Sequence, residues 1–107
     1  MDKWLLQEIK NYLDITWEDS ATDQKVEGMI QAGVCYLERK AGEALDFKTQ
    51  PDALALLKDY VRYARDGAAD VFENNYRSLI LDMQHDRMMR RRAEGKTNAE
   101  GSISARQ

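Results

Sequence analysis

The chain contains few of the residues on which disulfide and metal-bound architectures depend. Its 107 residues include one cysteine, one histidine and one proline. The single cysteine, Cys35, excludes an intramolecular disulfide and any cysteine-rich metal site. Because Cys35 lies in a helical apolar pattern, we expect a small, half-buried side chain. We expect His85, which lies beyond the apolar pattern, at the surface.

Long apolar runs are absent as well. No stretch approaches the roughly 18 consecutive apolar residues that a membrane span requires. The first residues enter an amphipathic pattern directly and do not resemble a signal peptide. We therefore expect a protein that is assembled in a cytosol and does not associate with membranes.

The sequence shows no recognisable catalytic or cofactor-binding motif. It has no glycine-rich phosphate loop, zinc-ligand spacing or dinucleotide fingerprint, and His85 has no partner in a nucleophilic motif. Two carboxylate pairs lie one helical turn apart, Asp66 with Asp70 and Asp82 with Asp86. We interpret both pairs as solvated helix faces rather than cation sites. We expect no enzymatic activity, no cofactor and no metal.

Apolar residues recur with helical spacing, which predicts an all-α fold built as a small bundle of about four helices. The first helix is predicted over about residues 2–13. The second begins near Ser20 or Thr22, where Ser20 and Asp23 resemble a capping box. It ends before Gly42, a residue type that commonly terminates helices.

The two connections that follow these helices are expected to contribute to the core. We expect Ile15 and Trp17 to pack the first connection onto the core. We expect Leu45 and Phe47 to insert into the core from the second connection. Within the second helix, Gly33 lies on the apolar stripe. We expect it to permit a close crossing with another helix, because it has no side chain.

The third helix is predicted to begin at Pro51, since proline is tolerated in a first turn. Its apolar phase continues to Met83, so either one helix covers about residues 51–90 or a break lies near residues 66–67 or 74–75. A helix of 40 residues would be about 60 Å long, too long for so small a body to cover its stripe. We therefore favour a break and a projecting C-terminal helix.

Charge is distributed unevenly along the chain. Residues 1–82 carry 16 acidic and 10 basic side chains, whereas residues 83–107 carry 3 acidic and 6 basic ones. Such asymmetry suggests contact with nucleic acid or complementary docking between subunits. We divide the chain into a helical domain, residues 1–92, and a polar tail, residues 93–107, which is predicted to be disordered.

The basic segment contains four clustered arginines: Arg87, Arg90, Arg91 and Arg92. Three interpretations of this cluster remain open. The arginines are solvated cations that offset the negative end of a helix dipole, or they dock onto an acidic neighbour such as another copy of the chain. Alternatively, they contact phosphates of a nucleic acid.

A second candidate contact lies on the third helix. Arg62, Tyr63 and Arg65 lie off its main apolar stripe and are candidates for a contact with another subunit. Tyr60, Tyr63 and Tyr76 and the two tryptophans, Trp4 and Trp17, are interpreted as core or half-buried residues rather than as a base-stacking surface.

Four stretches of hydrophobic and aromatic residues carry a family resemblance. They are residues 5–19 (LLQEIKNYLDITWED), residues 23–37 with Gly42, residues 56–65 (LLKDYVRYAR) and residues 72–76 (FENNY). In order and spacing they resemble the small phage and prophage head–tail connector family, also described as possible DNA-packaging proteins. The resemblance covers roughly residues 4–85 and includes no catalytic residue.

The resemblance implies a structural role in the virion. It suggests a helical subunit that forms a homo-oligomeric ring of about a dozen copies beneath the portal. The ring joins the DNA-filled head to the tail, contacts the portal and tail-completion proteins, and lets DNA pass without sequence-specific binding. The implied location is the head–tail interface of a virion assembled in a bacterial cytoplasm. The alternative is a small nucleic-acid-binding or DNA-packaging accessory protein that uses the arginine cluster.

Overall fold

The computed structural model describes the backbone of residues 2–106 and the side chains of residues 2–93. Within these residues it contains five helices and no strand, which confirms the predicted all-α fold. The helices are α1 (Lys3–Tyr12), α2 (Ser20–Ala41), α3 (Pro51–Arg65), α4 (Ala69–Asn75) and α5 (Arg77–Arg106). No helix in this part of the chain is both long enough and apolar enough to cross a membrane.

Helix α2 has well-defined signals at both ends. At its start, the Asp19 carboxylate accepts hydrogen bonds from the backbone N–H of Thr22 (3.1 Å) and from its hydroxyl (2.7 Å). The cap is therefore Asp19, and the prediction of Ser20 as the capping residue was wrong by one position. At its end, Gly42 adopts a left-handed conformation with φ 75°, as the predicted stop requires.

Helices α2 and α3 cross closely at Gly33, as predicted. A Cβ atom at this position would lie 2.7 Å from Cδ1 of Tyr60 and 2.8 Å from Cδ1 of Leu57. These distances are shorter than van der Waals contact, so only glycine fits without displacement of the α3 side chains. This crossing brings the middle of α3 onto the apolar stripe of α2.

The predicted break after α3 occurs at both candidate positions. Helix α3 ends at Arg65, and Gly67 takes a left-handed conformation with φ 73°. The short helix α4 then ends at Asn75, and α5 begins two residues later. Two breaks turn the chain around Phe72, which is fully buried, and they raise the number of helices from about four to five.

A single apolar core joins the helices and both connections. Its buried members are Ile9, Leu13, Ile15, Val26, Ile30, Leu37, Ala41, Phe47, Ala53, Leu56, Leu57, Val61, Phe72, Ile80 and Met83. Ile15 and Phe47 enter this core as predicted, and Leu45 packs half-buried against it.

Two predictions of burial were wrong. Trp17 is 49% exposed, because the chain bends at this residue after Ile15 has entered the core. Its ring instead forms one side of an apolar surface groove of about 610 Å³. Cys35 is exposed rather than half-buried, since the inward face of α2 is occupied by Gly33 and Leu37 at neighbouring positions.

Helix α5 packs on the body through its first part. Ile80 and Met83 are buried, and Arg91 is the last residue with a described contact to the body. The helix continues to Arg106, in agreement with the predicted projecting C-terminal helix. Residues 93–107 were predicted to be disordered. All of them except Ala93 lie outside the part of the chain whose side chains are described, so their disorder stays a prediction.

Candidate functional site

The arginine cluster divides into two residues that contact the body and two that have no described contact with it. Arg87 and Arg91 lie one turn apart on the face of α5 that meets the body, whereas Arg90 and Arg92 are exposed. We call Arg87 and Arg91 the inner arginines and Arg90 and Arg92 the outer arginines. The outer arginines form no ion pair with any described side chain.

Arg87 is the largest fully buried side chain and is only 2% exposed. Its Nη2 donates to Oδ1 of Asp52 at 3.1 Å, and its Nε lies 3.8 Å from Oε1 of Glu43. Asp52 lies in the first turn of α3, and Glu43 follows the end of α2. A buried guanidinium is costly unless it is paired. The two carboxylates offset its charge and tie α5 to both helices, while Nε itself donates no hydrogen bond to a described group.

Arg91 binds the C-terminal end of α2. Its Nη1 donates to the backbone carbonyl of Ala41 at 3.2 Å and lies 3.5 Å from Oε2 of Glu43. One turn earlier than Arg87, Gln84 donates to the carbonyl of Lys40 at 2.9 Å. Carbonyls at the end of a helix have no partner within it and carry partial negative charge. We call Gln84, Arg87 and Arg91 the α5 stem.

The burial of Arg87 distinguishes it from the other three arginines of the predicted contact, which stays a prediction. In this subunit Arg87 is an internal ion-pair residue, and contact with another subunit would require it to leave Asp52 and Glu43. The signal that locates it was present in the sequence. Arg87 lies seven residues after Ile80 and four after Met83, so it continues the apolar stripe in phase.

An acidic groove lies on one side of α5, between α5 and α3. It measures about 260 Å³ and has Ala55, Leu56 and Met83 along its floor. Its rim is formed by Asp52 and Asp59 of α3 and by Leu79, Asp82 and Asp86 of α5.

The opposite side of α5 has a different character. Arg77, Leu81, Met88 and Arg92 are exposed along it, and we call them the basic flank. Leu81 is 55% exposed and Met88 is 44% exposed, both high values for such apolar side chains. At 100° per residue this flank lies about 160° around the helix from Leu79 and Asp86.

The α3 candidates lie apart from the arginine cluster. Arg62 donates to the Tyr76 hydroxyl at 3.4 Å, and Arg65 donates to the carbonyl of Leu13 at 3.2 Å. Tyr63 packs half-buried at right angles to Tyr76. These residues lie at the C-terminal end of α3, about 15 Å along the helix from Asp52, the partner of Arg87. The predicted contact residues therefore form two separate patches.

Five aromatic side chains pack at the junction of α2, α3 and α4, and we call them the aromatic corner. They are Tyr36, Tyr60, Tyr63, Phe72 and Tyr76. Phe72 stacks on Tyr76 with a centroid distance of 4.6 Å and meets Tyr60 edge-on at 5.3 Å. Burial raises the pKa of Tyr36 and that of Tyr76 to about 12. The interpretation of Tyr60, Tyr63 and Tyr76 as core or half-buried residues is confirmed.

A salt bridge borders the aromatic corner on the side of the basic flank. Lys40 Nζ lies 2.6 Å from Oε1 of Glu73, and this hydrogen bond lowers the pKa of Glu73. The bridge joins α2 to α4, so the lysine is engaged within the body. The cations of the basic flank itself, Arg77 and Arg92, form no ion pair with any side chain among residues 2–93.

The polar residues considered for chemistry lie at the surface. His85 is exposed, as predicted, and so are Asp66, Asp70, Asp82 and Asp86. Among the described side chains, no three histidine, cysteine or acidic residues are arranged to hold a metal ion. The arrangement offers surfaces for association: an acidic groove, a basic flank and a groove beside Trp17.

Comparison with known proteins does not identify a family. No protein-family model, curated protein or solved structure gives a significant match to this chain. The resemblance to head–tail connectors therefore stays a prediction.

Proposed function

We propose that this chain is a structural assembly protein that docks through α5 onto neighbouring subunits. The observation that carries this proposal is the set of large apolar side chains exposed on α5 beside charged ones. They are Leu79, Leu81, Met88 and Met89, each between 44% and 55% exposed. Leu81 and Met88 lie together on the basic flank, whereas Leu79 lies on the groove side, so α5 carries apolar surface next to charge on two sides, as docking surfaces do.

The inner arginines support this role, because they hold the docking helix in a defined place. Arg87 is buried between α2 and α3, and Arg91 binds the end of α2. A helix that is already positioned loses less conformational entropy when a partner binds it. The buried arginine thus makes the exposed side chains of α5 a preorganised surface.

The specific role that we propose is a head–tail connector. The chain would form a ring below the portal, contact tail-completion proteins and leave a passage for DNA. This level of the proposal rests on the four stretches of resemblance in residues 4–85, together with the helical fold. The role requires no catalytic group, cofactor or metal.

The decisive experiment is deletion of the encoding gene, followed by induction of the phage that carries it. We expect electron micrographs of the lysate to show DNA-filled heads and separate tails, because the joining subunit is missing. Expression of the complete chain in trans should restore tailed particles. Normal tailed particles in the deletion strain would contradict the proposed function.

A truncated chain tests whether the arginine segment is needed for complementation. A chain lacking residues 88–107 keeps Arg87 but loses Arg91 and both outer arginines. We expect circular dichroism to show that its remaining helices are folded, and we expect it to fail in complementation. A chain lacking residues 94–107 keeps both inner arginines and is the matched control for the α5 stem. If the 88–107 deletion complements fully, the docking role of the arginine segment is wrong.

The alternative is a nucleic-acid-binding accessory protein, and the exposure of the outer arginines favours it. Two phosphate contacts would give affinity that falls as salt is raised from about 50 to 200 mM. We expect an R90A/R92A variant to abolish binding to a DNA duplex in a fluorescence anisotropy titration if this function is correct. Unchanged binding in that variant would exclude the outer arginines as its basis.

A further inference from the structure

We propose that the acidic groove between α3 and α5 receives the basic flank of α5 from a second copy of this chain. This inference rests on the proposed function and names its first partner. It also sets the kind of contact: head to tail, with each copy offering its groove to one neighbour and its flank to another.

The groove has uncompensated charge over an apolar floor. Asp52 is neutralised by Arg87, and Asp59 accepts a hydrogen bond from the Tyr12 hydroxyl. Asp82 and Asp86 form no ion pair with any described side chain. Leu79, which lines the groove with them, is 53% exposed. The groove therefore fits a partner that brings cations and apolar side chains together.

The basic flank has that composition. Leu81 and Met88 lie seven residues apart, about 10 Å along the helix, which matches the separation of Leu79 and Asp86 on the groove side. Arg77 and Arg92 lie at the two ends of the flank. Methionine adapts its shape to irregular apolar surfaces, so Met88 can fill the groove floor while the arginines meet its carboxylates.

The groove and the flank of one copy cannot meet each other. They lie on opposite sides of one rigid helix, about 160° apart. Both can be covered only if every subunit contacts two neighbours through different surfaces. A contact of this kind forms a closed ring if its rotation closes and a filament if it does not.

Charge reversal on each side tests the contact. A groove variant, D82R/D86R, should repel the basic flank of a second copy. A flank variant, R77E/R92E, should repel the acidic groove. In sedimentation velocity across a concentration series of the complete chain, we expect either variant to weaken self-association by about tenfold or more. The matched control, D66R/D70R, makes the same change in net charge at exposed positions away from the groove, and it should associate as the wild-type chain does.

Mixing the variants gives the strongest test. An equimolar mixture of the groove and flank variants should associate again, because the basic groove of one meets the acidic flank of the other. A chain with all four substitutions should regain self-association by itself. Circular dichroism and thermal unfolding verify that each variant is folded, so that loss of association reports on the contact.

Four outcomes would overturn the inference. Two concern the variants: the mixture does not recover association, or the D66R/D70R control loses as much association as the groove variant. Two concern the wild-type chain: its assembly stops at a symmetric dimer, or it remains monomeric at every concentration. None of these results would by itself contradict the proposed connector role, because the gene deletion tests that role separately.

Discussion

The aromatic corner and the α5 stem both join helices of this protein, but different forces hold them. In the corner, four tyrosine rings surround Phe72, with little dependence on charge. In the stem, Arg87, Arg91 and Gln84 bind two carboxylates and two backbone carbonyls. Apolar packing responds weakly to salt, whereas partly exposed ion pairs are screened by it. We therefore expect the corner to set global stability and the stem to control the attachment of α5.

The largest expected effect is at the centre of the corner. Phe72→Ala removes a fully buried ring and should lower the free energy of unfolding by about 3–5 kcal/mol. Val71→Ala changes the preceding, exposed residue and should cost much less. Urea denaturation followed by circular dichroism measures both, and equal losses would contradict the central role of Phe72.

The next effect is at the buried arginine. Arg87→Met should lower stability by about 1–3 kcal/mol, because two carboxylates lose their cation while remaining partly hydrated. Arg90→Met, on the exposed side of the same helix, should change stability by about 0.5 kcal/mol or less. Hydrogen exchange should show faster exchange in α5 than in α3 for the Arg87 variant. Equal effects of the two substitutions would contradict the division into inner and outer arginines.

Alkaline pH should weaken the corner before it affects the stem. The folded protein holds the pKa of Tyr36 at about 12, above its ordinary value near 10. Below pH 10 the tyrosine is neutral in both states, and its contribution is fully present. As pH rises from 10 to 12, the unfolded chain ionises first, so the folded state loses stability.

Tyr36→Phe is the matched variant for this pH dependence, since phenylalanine keeps the ring and lacks the ionising hydroxyl. We expect it to lose less stability than the wild-type chain between pH 10 and 12. Absorbance near 295 nm should also lack one late-titrating tyrosine in the variant. Parallel pH profiles for the two proteins would show that Tyr36 does not account for the alkaline loss.

The smallest effect is expected at Arg91. Its side chain is 45% exposed, so Arg91→Met should cost about 0.5–1 kcal/mol at low salt. At about 1 M salt the Debye length falls to about 3 Å, and the ion-pair part of this difference should shrink. Denaturation at two salt concentrations measures it. A difference that grows with salt would show that Arg91 acts through packing rather than charge.

Local signals account for the parts of the fold that were predicted from sequence. The stop at Gly42, the start at Pro51 and the close crossing at Gly33 each depend on the backbone or size of one residue. The choice between breaks at residues 66–67 and 74–75 was not predictable, because the apolar phase continues through both. Burial of Phe72 favoured two breaks, and that burial depends on rings from three helices.

The candidate site was predicted less completely than the fold. The sequence identified the arginine cluster and carried Arg87 in phase with the apolar stripe, but it did not show which carboxylates pair with Arg87. The acidic groove was not predicted either, since its carboxylates come from two helices more than twenty residues apart in sequence. Spacing along one helix indicates which residues share a face, but it does not show what that face meets.

The sequence by itself determined that this protein is helical, where its well-capped helix α2 ends and that its basic charge is concentrated near the C-terminus. These properties follow from periodicity, terminating residues and composition, which act locally along the chain. Only the tertiary structure decided which carboxylates pair with the buried Arg87 and which form the groove. The reason is that a buried charge is stabilised by partners distant in sequence, here Asp52 and Glu43, and packing of α5 on α2 and α3 brings them within reach.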